Sequence, residues 1–269
     1  MTAIAINGAT GRMGRTTALL LLEDPRFQLR SALTHQQSKY LGQDIGLLSG
    51  SSNLGLPATT LSTDSLQEVD VIIDFSVPIG TEALLDICIA ENIGLVSGTT
   101  GFNGQQLNNI KRAAREVPIL IAPNMSVGVN VTFRLIEQAT TMLGSGVDIE
   151  VYESHHRNKL DAPSGTAKRM GEIISSAREQ NFSNEATLEQ TETPSGKNPI
   201  EFHSARGGDV VGEHTVTFFG KGERLEITHR ASSRTNFAAG ALQAALFIAQ
   251  KLDQGAVGMY SMNEVLGLS

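Results

Sequence analysis

Ala3-Ile4-Ala5-Ile6-Asn7-Gly8-Ala9-Thr10-Gly11-Arg12-Met13-Gly14 opens the chain with an apolar run, a glycine-rich turn and the start of an amphipathic segment. A strand that feeds a helix through glycines makes a place for pyrophosphate. Glycine lets the backbone come close to the anion, and the free amides and dipole of the helix start favour negative charge. The spacing here is GxxGxxG, not GxGxxG, and a glycine turn can be only a turn. Its place at the first strand-to-helix junction of an alternating region raises the dinucleotide reading above that alternative. A nucleotide-hydrolysing loop is disfavoured, because Gly14-Arg15-Thr16 lacks the lysine such a loop needs.

Outward from this turn, apolar and amphipathic segments alternate at residues 3–7, 12–23, 27–33, 71–75, 81–92, 95–97, 105–117 and 119–122. That alternation predicts βαβ units on a parallel sheet. Residues 148–153, 200–205, 214–219 and 224–228 then read as strands with few helices between them, which predicts a second α+β domain on an open sheet. The polar stretch 180–198 reads as a surface excursion without assigned function. An Ala-rich helical run at 237–251 is expected to pack back near the first domain. No internal repeat or low-complexity tract interrupts this plan.

Composition narrows the function classes. The chain has 269 residues, 40% of them hydrophobic, which is enough for one large core or two modest ones. Its only cysteine, Cys88, lies in an apolar stretch and reads as a small buried hydrophobe; no internal disulfide can form. No basic leader precedes the first strand, and the longest aliphatic run, residues 18–22, is far too short to span a bilayer. A soluble, cytoplasmic protein is expected. A net charge of -7 without a basic block argues against a nucleic-acid partner.

Two further loops fall at predicted strand ends: Gly98-Thr99-Thr100-Gly101-Phe102, and Ala122-Pro123-Asn124-Met125-Ser126-Val127-Gly128. Ligands of open α/β sheets bind outside such ends, so both loops are placed to touch the nicotinamide half of a cofactor, although either alone reads as an ordinary turn. Thr34 and His35 end the second strand, about twenty residues past the glycine turn, where the adenine ribose is met. No acid stands there to repel a 2′-phosphate, and Thr34, His35, Lys39 and Arg12 offer donors or positive charge. Both NADPH and NADH are therefore expected, with NADPH favoured.

The stretch richest in chemistry is Glu150-Val151-Tyr152-Glu153-Ser154-His155-His156-Arg157-Asn158-Lys159-Leu160-Asp161-Ala162-Pro163-Ser164-Gly165-Thr166-Ala167. It leaves a strand, crosses a cationic loop and enters a helix near Ser164. Ser164, Gly165 and Thr166 supply hydroxyls and amides that suit a carboxylate or phosphate. His155, His156, Arg157 and Lys159 place positive charge beside them in an acidic chain, which points to a small anionic ligand. Each residue alone has a plain structural reading as a helix cap, a satisfied polar group or a solvated loop. A metal site is disfavoured, since the pattern matches neither HExxH nor a Cys/His cluster.

Here the sequence resembles the dihydrodipicolinate reductases. The run ExxExHxxxKxDxPSGTA from Glu150 to Ala167 looks like their hallmark, joined by GRMG at Gly11, GTTG at Gly98, NxSVGVN at Asn124, GEHT at Gly212 and ERLEITHxASSR at Glu223. The resemblance implies reduction of 4-hydroxy-tetrahydrodipicolinate, a cyclic dicarboxylate imine, by NADH or NADPH. It implies a Rossmann-like dinucleotide-binding domain at residues 1–126, completed by 236–269, and an open-sheet domain at 127–235 that forms homotetramers. His155 matches the family's proton donor and Lys159 its catalytic lysine; His156, Lys159, Ser164, Gly165 and Thr166 match substrate-binding positions. Gly8, Ala9, Thr10, Gly11, Arg12 and Met13, with Gly98, Thr99, Thr100, Ala122, Pro123, Asn124 and Met125, match cofactor-binding ones. The chain departs from the family at Thr34-His35 and at Val77, positions that bear on cofactor choice.

Two other readings compete. A semialdehyde-dehydrogenase type needs a cysteine nucleophile, and Cys88 sits in a predicted helix of the first domain, poorly placed for that task. A dinucleotide sensor without chemistry would show decay between His155 and Thr166, where the residues are intact. Arg234 remains a candidate second carboxylate partner without an assigned role.

Overall fold

The computed structural model describes residues 1–179, 182 and 200–268. Apart from Phe182, the polar excursion expected at 180–198 lies outside the described residues. The chain divides into two units, Met1–Val127 with Arg234–Ser269, and Gly128–Ser233.

The first unit follows the alternation of its sequence. β1 (Thr2–Asn7) leads to α1 (Arg12–Glu23), β2 (Phe27–Leu33), the short α2 (Ile45–Leu48) and β3 (Ala58–Thr59). β4 (Val71–Asp74), α3 (Pro78–Glu91), β5 (Gly94–Ser97), α4 (Gly104–Ala113) and β6 (Pro118–Ile121) complete the run. The strands are nearly all apolar because a parallel sheet is covered on both faces. Side-chain alternation then sorts them. Ile4, Ile6, Val71, Ile73, Val96 and Leu120 join one core, with Leu21 of α1. Ala5, Leu33, Ile72, Leu95 and Ile119 join the other, with Leu84 and Cys88 of α3 and Ile110 of α4.

The second unit opens with α5 (Val127–Leu143) and continues through β7 (Asp148–His155), α6 (Gly165–Ala177), β8 (Ile200–Arg206), β9 (Gly212–Gly220) and β10 (Glu223–Ala231). Its sheet has the order β10-β9-β7-β8. β7 runs parallel to β8 and antiparallel to β9, and β9 pairs antiparallel with β10. Ile149, Val151, Phe202, Val216 and Phe218 turn to one face and bury against Ile136 of α5 and Met170 and Ile174 of α6. The other face carries residues such as Tyr152, Thr215 and Thr228, paired in register across β7, β9 and β10.

The chain then returns to the first unit as α7 (Thr235–Asp253), β11 (Gly258–Tyr260) and α8 (Met262–Val265). Ala241, Leu242, Ala244, Ala245 and Ile248 of α7 enter the core that holds Ile4 and Ile6. Its small residues permit close approach: a Cβ on Gly240 would stand 1.7 Å from the Met125 carbonyl oxygen. β11 adds a parallel strand to β6, so the first sheet has the order β11-β6-β5-β4-β1-β2-β3. Among the described residues no helix is long and apolar enough to cross a membrane.

Candidate active site

β1 stands between β4 and β2, and the connections reverse direction there, so the crevice beyond their C-terminal ends is where a doubly wound sheet binds its ligand. Gly8 has φ of +76°, and a Cβ on it would lie 2.5 Å from the Phe75 carbonyl oxygen; a side chain would be both strained and obstructed. A Cβ on Gly14 would lie 2.3 Å from the Gly8 carbonyl oxygen, so that glycine lets α1 press against the turn. α1 begins after Gly11 with no side-chain cap and no acid in its first turn. An uncapped helix start behind a close glycine turn fits a pyrophosphate.

The other sequence-predicted cofactor residues reach the same edge of the sheet. Thr34 and His35 follow β2, Gly98, Thr99 and Thr100 follow β5, and Ala122, Pro123, Asn124 and Met125 follow β6. Gly98 has only a hydrogen where a Cβ would strike the Phe75 ring at 2.4 Å. Past β6, Asn124 Oδ1 accepts from the Ser126 amide at 3.0 Å, and Asn236 Nδ2 donates to Ser126 Oγ at 3.2 Å.

What ties the ends of β1, β4 and β5 together is Asp74, at the end of β4 and fully buried. Its Oδ1 accepts from Asn7 Nδ2 at 2.9 Å and from the Ser76 amide and hydroxyl at 3.1 and 2.5 Å. Its Oδ2 accepts from the hydroxyls of Thr81, Ser97 and Thr99 at 2.5, 2.7 and 2.9 Å. Three adjacent strand ends are thus tied to one carboxylate. The sequence displayed Asp74-Phe75-Ser76 but gave no sign of this role, because the donors are scattered from residue 7 to residue 99.

Beside β2, Thr34 is buried and its hydroxyl lies 2.8 Å from that of Thr10. The cation that joins this group is Arg15, not Arg12. Arg15 Nε donates to the Thr10 carbonyl at 2.9 Å, and its guanidinium lies 4.3 Å from the centre of the Tyr40 ring. Lys39 Nζ lies 5.0 Å from the same ring centre. Arg12 is exposed.

In the second unit, β7 runs two residues beyond its expected end at Glu153 and carries His155 inward. Alternation places Glu153 and His155 on the buried face together. Glu153 Oε2 lies 2.5 Å from His155 Nδ1. Its Oε1 accepts from Arg206 Nη2 at 2.8 Å, Ser204 Oγ at 2.7 Å and the Ser164 amide at 3.3 Å. Burial pushes this carboxyl up, but the bonds from His155, Arg206 and Ser204 outweigh it and hold the group well below the usual carboxylate range.

Ser164 caps α6 by accepting from the Ala167 amide at 3.2 Å, and its hydroxyl lies 3.0 Å from His214 Nε2. Burial, with the charge of His155 adding to it, pushes His214 down to about 3, so the ring is neutral at working pH. Gly165 at the helix start has nothing within 4 Å of where a Cβ would be. Lys159 Nζ donates to both oxygens of Asp161, at 2.7 and 2.8 Å. Asp161 is 57% exposed along its side chain, so this pair is weak and open to exchange with another carboxylate. His156 is half-buried in the same loop, and its carbonyl accepts from the Lys159 amide.

Glu153, His155 and His214 place one ligand atom each within 4.8 Å of one another, as a metal site would. One feature favours a proton device over a cation site: Arg206 already neutralises the carboxylate. Cys88 lies wholly buried on α3, its thiol pushed up to about 12 by burial and the nearby Asp74, so it is no nucleophile. Arg234 stands exposed as the residue before α7.

Known proteins share this chain's sequence and fold. The family described as dihydrodipicolinate reductase, N-terminus, matches residues 2–125, and its C-terminus counterpart matches residues 128–266. A 4-hydroxy-tetrahydrodipicolinate reductase of Syntrophotalea carbinolica is 43% identical over 270 residues, covering 100% of both chains. One of Nitrosomonas eutropha is 46% identical and covers 98% of each. A solved dipicolinate-bound dihydrodipicolinate reductase from Paenisporosarcina sp. TG-14 superposes with a TM-score of 0.76 at 25% identity, covering 98% of each chain.

Asp74→Asn keeps the shape of the hub but turns an amide toward hydroxyls that now donate to Oδ2. The variant should raise the Kd for NADPH about tenfold or more and lower the Tm, read by nucleotide fluorescence titration and thermal melting.

Proposed function

The chain belongs to the dihydrodipicolinate reductase family, and on that premise we propose that it reduces 4-hydroxy-tetrahydrodipicolinate to tetrahydrodipicolinate in lysine and diaminopimelate biosynthesis. The net reaction adds one hydride and one proton and loses one water. When bound, the pyridine nucleotide supplies the hydride. Everything else falls to side chains and amides of this chain.

The observation that carries the reading is the buried Glu153–His155 contact beside the Ser164-capped start of α6. A planar dianion needs cations and amides to hold it. Lys159 exchanges Asp161 for one substrate carboxylate, and Ser164, Gly165 and Thr166, with the positive end of α6, take a carboxylate at the helix start. His156 lines the same loop. Orientation of the ring supplies much of the acceleration. His155 then delivers the proton that balances the added hydride, a task for which imidazole is suited near neutral pH.

For the cofactor, the turn from Gly8 to Met13 takes the pyrophosphate, Gly98, Thr99 and Thr100 with Ala122, Pro123, Asn124 and Met125 take the nicotinamide half, and Thr34 and His35 meet the adenine ribose. Both NADPH and NADH serve, with NADPH favoured. The support is the missing acid after β2 and the cationic pair of Arg15 and Lys39 over Tyr40. We place the protein in the cytoplasm as a homotetramer. Tyr152 and Phe219 stand 39% exposed on strands of the second sheet, a degree of apolar exposure that assembly would cover.

Aspartate semialdehyde and pyruvate, supplied to a dihydrodipicolinate synthase, generate the substrate, and loss of NADPH absorbance reads the reaction. His155→Ala should lower kcat about 100-fold or more with little change in KM, whereas Lys159→Ala should damage both. Absence of substrate-dependent oxidation by the wild type refutes the activity, and wild-type kcat/KM in His155→Ala refutes the proton donor.

Compared at one pH and salt, the wild type should show a higher kcat/KM with NADPH than with NADH. Arg15→Ala should cost about tenfold with NADPH and little with NADH, as expected for one charge-assisted phosphate contact. A tenfold wild-type preference for NADH contradicts the assignment.

A further inference from the structure

Resting on the reduction proposed above, we infer that Glu153 is a positioning residue for proton delivery: its carboxylate holds the Nδ1 proton of His155, leaves Nε2 to serve the substrate, and joins that ring to the amide of Ser164. Oε2 and Nδ1 stand 2.5 Å apart, and a proton on Nδ1 is the arrangement that spares them the repulsion of two facing lone pairs. Glu153 stays ionised, since Arg206 and Ser204 stabilise its charge through Oε1. The Nδ1 proton is therefore the histidine's, and the neutral ring carries its lone pair at Nε2. Once protonated there, the imidazolium holds a transferable proton at Nε2 while Glu153 balances its charge.

The surroundings single out Glu153 for this role. Glu153 of β7 and Arg206 of β8 flank the histidine, His214 reaches it from β9 with ring centres 5.1 Å apart, and Lys159 follows in the adjoining loop. Of these four, His214 is held neutral by burial and Arg206 and Lys159 are cations. Glu153 alone is an anion. Nε2 faces Gly212 of β9, where a Cβ would stand 3.0 Å away, so the residue there has no side chain to cover that nitrogen. A single carboxylate thus links the proton donor to the helix start that takes a substrate carboxylate, and it does so without touching substrate itself.

A merely structural Arg206–Glu153 ion pair would affect stability and leave the pH profile in place. The two roles separate in Glu153→Gln, which keeps the volume and removes the charge. In kcat/KM against pH, the alkaline limb should move to lower pH by about one unit, as loss of a neighbouring opposite charge does. kcat at pH 8 should then fall about tenfold, with KM for NADPH unchanged, and Glu153→Asp should recover part of the limb. Because Glu153→Gln leaves Arg206 without its partner and can unfold, the wild type is examined as well. Long-range ¹H–¹⁵N correlation, with His155 assigned by its loss in His155→Ala, should show neutral His155 protonated on Nδ1. An unshifted limb in folded Glu153→Gln, or an Nε2-protonated His155 in the wild type, overturns the inference. Failure of the reductase reading shows itself separately, as a wild type that oxidises no NADPH, and the tautomer still decides the role of Glu153.

Discussion

A carboxylate taken out of water must be given hydrogen-bond donors, and in this chain each unit is organised around one such group. Asp74 collects Asn7, Ser76, Thr81, Ser97 and Thr99 and so aligns the ends of β1, β4 and β5. Glu153 collects Ser164, Ser204, Arg206 and the ring of His155 and so aligns the end of β7 with the start of α6. Leaving either carboxylate partly bonded would cost more than any one surface contact contributes, which makes the loop positions cooperative. The part of the site left open to solvent is Asp161, paired with the half-buried Lys159. They form a weak pair that yields to an incoming anion.

Much of the architecture was legible because it follows from period and punctuation. The turn after β1 reads correctly from its glycines, and α1 and β2 fall on the residues that apolar spacing predicts. Elements without such a signal escaped. β3 has two residues and β11 three, too few for any periodicity, and they exist because β2 and β6 offer free edges. α5 begins in Val127-Gly128, a stretch whose glycine reads as loop. Strands of the second sheet run longer than their apolar cores suggest, since pairing in register carries polar residues such as Glu213 and Arg230 along.

For the site, sequence shows which residues are present and conceals which ones meet. Ser164, Gly165 and Thr166 announce a helix start by residue type alone, and α6 begins there. Glu153 stood in the same quoted run, yet its pairing with Arg206 joins residues 53 apart, and His214 reaches Ser164 across 50. Arg15 is a comparable case: its bond to Thr10 is local, but the Tyr40 ring that supports its guanidinium lies across a loop no pattern describes. Long-range polar contacts of this kind depend on the finished fold.

The central claim is that the second unit is built to hold a dicarboxylate ring with His155 at its edge. The most direct measurement is a crystal structure of this protein with NADPH and pyridine-2,6-dicarboxylate, a planar analogue of the substrate. One carboxylate should lie on Lys159, the other on the amides of Gly165 and Thr166, with His155 Nε2 facing the ring. A molecule bound elsewhere, or one whose carboxylates leave Lys159 paired with Asp161 and the start of α6 untouched, would contradict the account.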